Sequence, residues 1–137
     1  MNKAKLMFAV FPAVLLLVSS SAVWARTAEL YNPSPITAPC ALGEGRMKSA
    51  IRTSLHGRGW TVHEKGAGVI EGKLNKRTHV AVVTITYAGR QVKIRYKSSE
   101  NLNYAVEDGK PVIHGNYNKW IKNIERDIDI NMSKACG

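Results

Sequence analysis

The sequence predicts an α+β domain of two layers, in which two helices cover one face of a single four-stranded antiparallel meander. Three observations lead there. Apolar residues recur at helical spacing in 44–56 and again from Asn116 onward, and between these stretches the period drops to two. Short turns separate the alternating stretches, so strand follows strand without a crossover. The chain's two cysteines, Cys40 and Cys136, lie just outside the two helical stretches. A bridge between them needs the start of one helix beside the end of the other, which antiparallel neighbours on one sheet face provide.

Residues 1–25 read as a secretory signal. Lys3 and Lys5 make a positive start, 6–18 is an uncharged apolar run, and Val23 and Ala25 suit the small-residue sites of a signal peptidase. The run of 13 residues is shorter than the roughly 20 needed to cross a bilayer as a helix, and Pro12 interrupts it. An uncleaved anchor is the alternative reading of the same segment. Lipid attachment is not expected, because no cysteine precedes Cys40 and Cys40 follows Pro39. Cleavage would take two of the 20 basic residues and none of the 10 acids, leaving 18 against 10 and a net charge of +8. The expected location is periplasmic or secreted. In that oxidising compartment one pair of cysteines predicts one disulfide, Cys40–Cys136. Residues 26–39, with Pro33, Pro35 and Pro39 and no apolar period, read as an extended, mobile leader, which places the domain at 40–137.

Within that domain Met47, Ala50, Ile51, Ser54 and Leu55 make one helical stripe, opened by Glu44 and stopped by Gly57 and Gly59. Trp60 and Val62 then alternate with polar neighbours. Gly66-Ala67-Gly68 turns the chain into 69–75, where Ile70, Gly72 and Leu74 share a face. Residues 78–87 are apolar on both faces, as suits a central strand. Ala88-Gly89-Arg90 turns into 91–97, where Val92, Ile94 and Tyr96 alternate with Gln91, Lys93, Arg95 and Lys97. Asp108-Gly109 marks a turn inside an irregular stretch, where a small hairpin fits between Tyr104 and Ile113. Tyr117, Trp120, Ile121, Ile124 and Ile128 form the stripe of the last helix.

Several stretches carry a family likeness. They are Gly59-Trp60-Thr61-Val62, residues 77–87, residues 94–104 with their Ser99-Glu100-Asn101-Leu102-Asn103-Tyr104 run, and the Ile113-His114-Gly115-Asn116-Tyr117-Asn118-Lys119-Trp120 run. Together they resemble a family of small exported bacterial proteins of uncharacterised function, often labelled lipoproteins. The chain departs from that label in lacking a lipid-accepting cysteine. The resemblance implies the domain and the compartment, and no activity.

Length and composition exclude whole classes. A chain of 137 residues does not hold a large multidomain enzyme, and 45% hydrophobic residues exceed what simple disorder carries. Ser98, Ser99, His79 and His114 are the residue types of nucleophilic catalysis, but no nucleophile elbow surrounds either serine. Glu125, Asp127 and Asp129 read as a solvated helix face. His56, His63, His79 and His114 lack the spacing of a metal site. No catalytic residue, metal or cofactor is therefore expected. Basic residues carry the first functional reading: Lys93, Arg95 and Lys97 line one side of a strand, and Lys73, Lys76 and Arg77 come from neighbouring elements. Such a surface attracts polyanions, and export directs the reading to anionic envelope polymer or lipid head groups rather than nucleic acid. The alternative is a protein-interaction factor, such as an inhibitor, immunity or assembly protein. It would act through 98–118, where Asn101, Tyr104, His114, Tyr117 and Asn118 cluster with Asn103 and Asn116.

Overall fold

The structure, a computed structural model, describes residues 26–137 together with Met7, Ala9, Val10 and Pro12. The expected signal segment otherwise lies outside the described residues. Among these residues no helix is long and apolar enough to cross a membrane. The chain is α+β, with two helices and two antiparallel sheets of three and five strands. In chain order the elements are β1 (Thr27–Glu29), β2 (Ile36–Thr37), α1 (Gly43–Gly57), β3 (Thr61–Gly66), β4 (Val69–Lys76), β5 (His79–Ala88), β6 (Gln91–Glu100), β7 (Ala105–Glu107), β8 (Lys110–His114) and α2 (Gly115–Cys136).

The expectation of one sheet is corrected to two. The larger pairs its strands in the order β2-β6-β5-β4-β3, and the smaller in the order β1-β8-β7. The Asp108-Gly109 turn, with both residues at positive φ (50° and 75°), closes the β7–β8 hairpin in the way a two-residue turn requires. One outer strand of each sheet comes from the segment expected to be a mobile leader. Thr27 to Glu29 pair with His114 to Val112, and Ile36 and Thr37 pair with Val92 and Gln91. Leu30, Pro33, Ile36 and Ala38 are buried. The segment from Thr27 to Ala38 is therefore paired and packed into the fold instead of being a mobile leader. Prolines break the alternation of this segment, so its strands are too short to carry a period, and their partners lie far along the chain.

Asn118 fastens the same segment from the helix side. Its amide oxygen accepts from Tyr31 N at 2.9 Å and its Nδ2 donates to Glu29 O at 2.9 Å. The Tyr31 hydroxyl donates to Glu125, 2.7 Å to Oε2. Cys40 and Cys136, 96 positions apart in sequence, are joined in a disulfide.

One apolar core holds these elements. Met47, Ala50, Ile51 and Leu55 of α1, Ile70 and Leu74 of β4, Ala81, Val83 and Ile85 of β5 and Val92 and Ile94 of β6 are all buried. Tyr117, Ile121, Ile124, Ile128 and Met132 add the stripe of α2. Gly72 marks the closest approach. A Cβ there would stand 3.2 Å from Val83 and 3.4 Å from both Leu55 and Trp60. The helices meet through a polar link as well: Ser54, buried, donates to Ala50 O at 2.8 Å and accepts from Asn131 at 2.9 Å.

Candidate functional site

Strand register assembles the charged surface row by row. His63 lies opposite Glu71, Glu71 opposite Thr84, and Thr84 opposite Arg95. The next row toward the hairpin ends runs through Val69, Thr86 and Lys93, and the row on the other side through Thr61, Lys73, Val82 and Ser98. These residues alternate with the buried ones, so they share the sheet face away from the core. Their burial follows: Lys93, Arg95 and His63 are exposed, while Lys73 and Glu71 are half-buried by neighbouring strands.

Sequence alternation ends at a bulge. Val82 and Val83 oppose Ser98 and Tyr96, which leaves Lys97 as the extra residue. Its ammonium forms an ion pair with Glu71. The Lys97 hydrogen bond holds the Glu71 carboxyl below its usual range, with Lys65, Lys97 and His63 adding their charges and partial burial opposing them. The three cations expected to act alike therefore do three different things. Lys97 neutralises Glu71. Arg95 donates through Nη1 to Pro33 O at 3.1 Å and to Ile94 O at 2.9 Å, fastening the N-terminal segment while keeping its charge. Lys93 has no ion-pair partner among the described residues. Lys73 joins the face, whereas Arg77 sits in the β4–β5 turn at φ 57°. Sequence reading missed His63, Lys65 and Glu71, although the alternation of 61–65 and 69–75 carried the signal.

The polar residues of 98–118 do not converge. Asn101, at φ 55°, donates to Thr78 O at 2.7 Å, and its own carbonyl accepts from His79 Nδ1 at 2.7 Å. His114 caps α2, its Nδ1 accepting from Asn116 N at 3.1 Å. Burial lowers the pKa of that imidazole, with His79, Arg26 and Lys119 adding repulsion. Tyr117 is fully buried and its hydroxyl has no partner, so burial raises the phenol pKa. Asn118 holds the N-terminal segment as above. Tyr104 is 42% exposed and stacked on Tyr96 at 4.4 Å between ring centroids, and Asn103 beside it is exposed as well. Of the residues weighed for nucleophilic chemistry, Ser99 bonds to the Tyr96 hydroxyl at 2.9 Å and both histidines bond to backbone groups. Among the described residues no three His, Cys, Asp or Glu side chains converge as metal ligands.

What remains as a site is a pleated surface carrying Lys65, Lys73, Lys93, Arg95 and Lys97 against the single carboxylate of Glu71, an excess of four positive charges. Comparison with protein-family models, with curated proteins and with solved structures finds no match for this chain.

Proposed function

We propose that this is an exported, non-enzymatic binding module that engages anionic envelope polymer or lipid head groups through the outer face of its five-stranded sheet. In this reading β3 to β6 act as a meander with both helices on one side, and the other side meets the ligand. The observation that carries it is the row structure. Lys73, Lys93 and Arg95 share the outer face with Glu71, while Lys65 and Lys97 lie at the two register shifts and act on the Glu71 carboxylate. The ion pair of Lys97 with Glu71 leaves the other four cations uncompensated. The disulfide fits an oxidising compartment, and the family resemblance points to the same place.

Lys65, Lys73 and Lys93 have no ion-pair partner among the described residues, so changing all three to Gln removes charge without disturbing the Arg95 and Lys97 contacts. Retention on anionic vesicles and on acidic polysaccharide should fall to near zero in that variant. Wild-type retention should weaken steeply with salt, because exposed charges are screened within about 8–10 Å near physiological ionic strength. Glu71→Gln frees Lys97 and should strengthen retention. Equal behaviour of all three proteins would refute the reading.

The protein-interaction reading has an observation of its own. Val106, 62% exposed, and Tyr104 flank the start of β7, an outer strand of the smaller sheet. Copurification of a stoichiometric protein, lost in Tyr104→Ala and indifferent to the lysine changes, would favour it over the polyanion reading.

A further inference from the structure

Where β3 begins and β4 ends, the larger sheet, the α1–β3 connection and α2 leave a cleft of about 300 Å³ between them. That volume is at the lower limit of small-molecule sites, room for one sugar ring. Four residues bring side-chain chemistry to its lining: Arg58 after α1, Lys76 at the end of β4, and Trp120 and Asn123 of α2. Lys76 lies two residues beyond the buried Leu74, so alternation turns it away from the outer lysines and toward α2. Its ammonium stands 5.8 Å from the centre of the Trp120 ring. On α2, Trp120, Asn123 and Asp127 follow at helical spacing along one side, and Asp127 anchors Arg58.

Each of the four keeps something for a ligand. Trp120 is only half-buried, so its indole has surface to offer, whereas Trp60 and Leu74, 2% and 6% exposed, merely close the floor. The half-buried Asn123 amide has no hydrogen-bond partner among the described residues. The amides of Asn101, Asn118 and Asn131, by contrast, are spent on holding the fold. A free amide donates and accepts at once. Arg58 is fixed by two bonds to Asp127, Nε to Oδ2 at 2.7 Å and Nη2 to Oδ1 at 3.1 Å. Its charge is thereby matched, and Nη1 stays uncommitted among the described residues. Lys76 has no ion-pair partner among the described residues. Its hold on the indole is weak at an exposed position, so the ammonium can turn to a ligand. No carboxylate lines the cleft. It therefore presents one unmatched positive charge, one amide and one aromatic surface.

That combination separates ligand classes. An inorganic anion would leave the indole and the amide unused. A lipid chain would find only one part-covered ring. A pyranose carrying a carboxylate uses every group. Its C–H face lies on the indole, a ring hydroxyl exchanges hydrogen bonds with Asn123, and the carboxylate accepts from Lys76 and from Arg58 Nη1. We infer that this cleft holds a uronic acid unit of an acidic polysaccharide. The class of partner rests on the anionic-polymer reading above, but the residues that decide it are separate from the sheet-face lysines. A single ring in so small a cleft binds weakly, so retention on intact polymer still depends on the sheet face, and the cleft selects the sugar.

Methyl galacturonoside is the probe, methyl galactoside its neutral counterpart, and acetate and inorganic phosphate the charge controls. Each is titrated at fixed salt into the whole folded protein and followed by chemical shifts. The galacturonoside should give one saturable set of shifts centred on the Trp120 indole and the Asn123 amide, and neither acetate nor phosphate should displace it. Lys76→Gln should weaken it about tenfold, the loss of one charge-assisted bond, while leaving the weaker galactoside binding unchanged. Asn123→Ala should weaken both sugars several-fold, as should Trp120→Leu; if the latter fails to fold, the first two variants still decide. Absence of saturable galacturonoside binding overturns the inference. So does displacement by acetate or phosphate, equal binding of the galactoside, or binding unmoved by both Lys76→Gln and Asn123→Ala. The variant with Lys65, Lys73 and Lys93 changed to Gln separates the two readings. Polymer retention lost with galacturonoside binding kept supports both, and both kept would refute the sheet face while supporting the cleft. Galacturonoside binding that vanishes with those lysines would assign it to the sheet face and overturn the cleft.

Discussion

Replacing Cys40 and Cys136 together by Ser opens a closed loop that spans 96 residues of sequence separation. Both positions are only half-buried, so the serines fit without stranding a polar group in the core. The native ends remain placed by other contacts: Arg46 Nη1 donates to Ala135 O at 3.1 Å, and Asn131 donates to Ser54. The cost therefore falls on the unfolded state, whose freed ends gain entropy. For a loop near 100 residues the chain-entropy relation gives about 4.7 kcal/mol at 25 °C. Small domains are stable by about 5–15 kcal/mol, so the double variant should sit close to its folding limit. With a urea slope near 2 kcal/mol/M for a domain of this size, the midpoint should drop by about 2 M. The slope itself should rise, because an uncrosslinked chain exposes more surface on unfolding. Urea titration of oxidised wild type and the double variant, read by tryptophan fluorescence from Trp60 and Trp120, measures both quantities. A midpoint shift under about 0.5 M with an unchanged slope would refute the unfolded-state account.

Two further outcomes test individual side chains. Tyr117→Phe removes a buried hydroxyl with no partner, so thermal unfolding should show a gain of about 1 kcal/mol; a loss would mean that the hydroxyl is satisfied. For His114 the folded pKa lies below that of the unfolded chain, so as pH falls under about 6.5 the unfolded state takes up the proton first. Stability that is complete above that pH should decline until pH passes the folded pKa and then level off. Exchange to Asn, which keeps a cap acceptor, should flatten this part of the profile, and an unchanged slope would assign it to another group.

Much of the frame was legible because it is local. The stripe Met47, Ala50, Ile51, Leu55 and the stripe Tyr117, Ile121, Ile124, Ile128 follow the helical period, and the chain between them follows the strand period. Asp108-Gly109 announced its turn by composition. What escaped the sequence depends on contacts between distant residues. The segment 26–39 carries no period, and only its pairing with β6 and β8 makes it part of the domain. The polar stretch 98–118 is contiguous in sequence, yet its backbone obligations pull Asn101, His114 and Asn118 toward three separate partners.

The charged face shows how one register decides which residues act together. Glu71 and Gly72 are neighbours with opposite fates. Gly72 faces Leu55, Trp60 and Val83 at distances that leave no room for a larger side chain without movement. A shift of β4 by one residue would turn every side chain to the other face, pressing Glu71 into that apolar contact and burying a carboxylate away from Lys97. Burying an unpaired charge costs several kcal/mol, so the shifted pairing is disfavoured twice, by volume and by charge. The glycine that admits α1 to the sheet is thus the residue that places Glu71 opposite His63 and next to Lys97. The same register puts Lys73, Lys93 and Arg95 on one pleated face with that carboxylate.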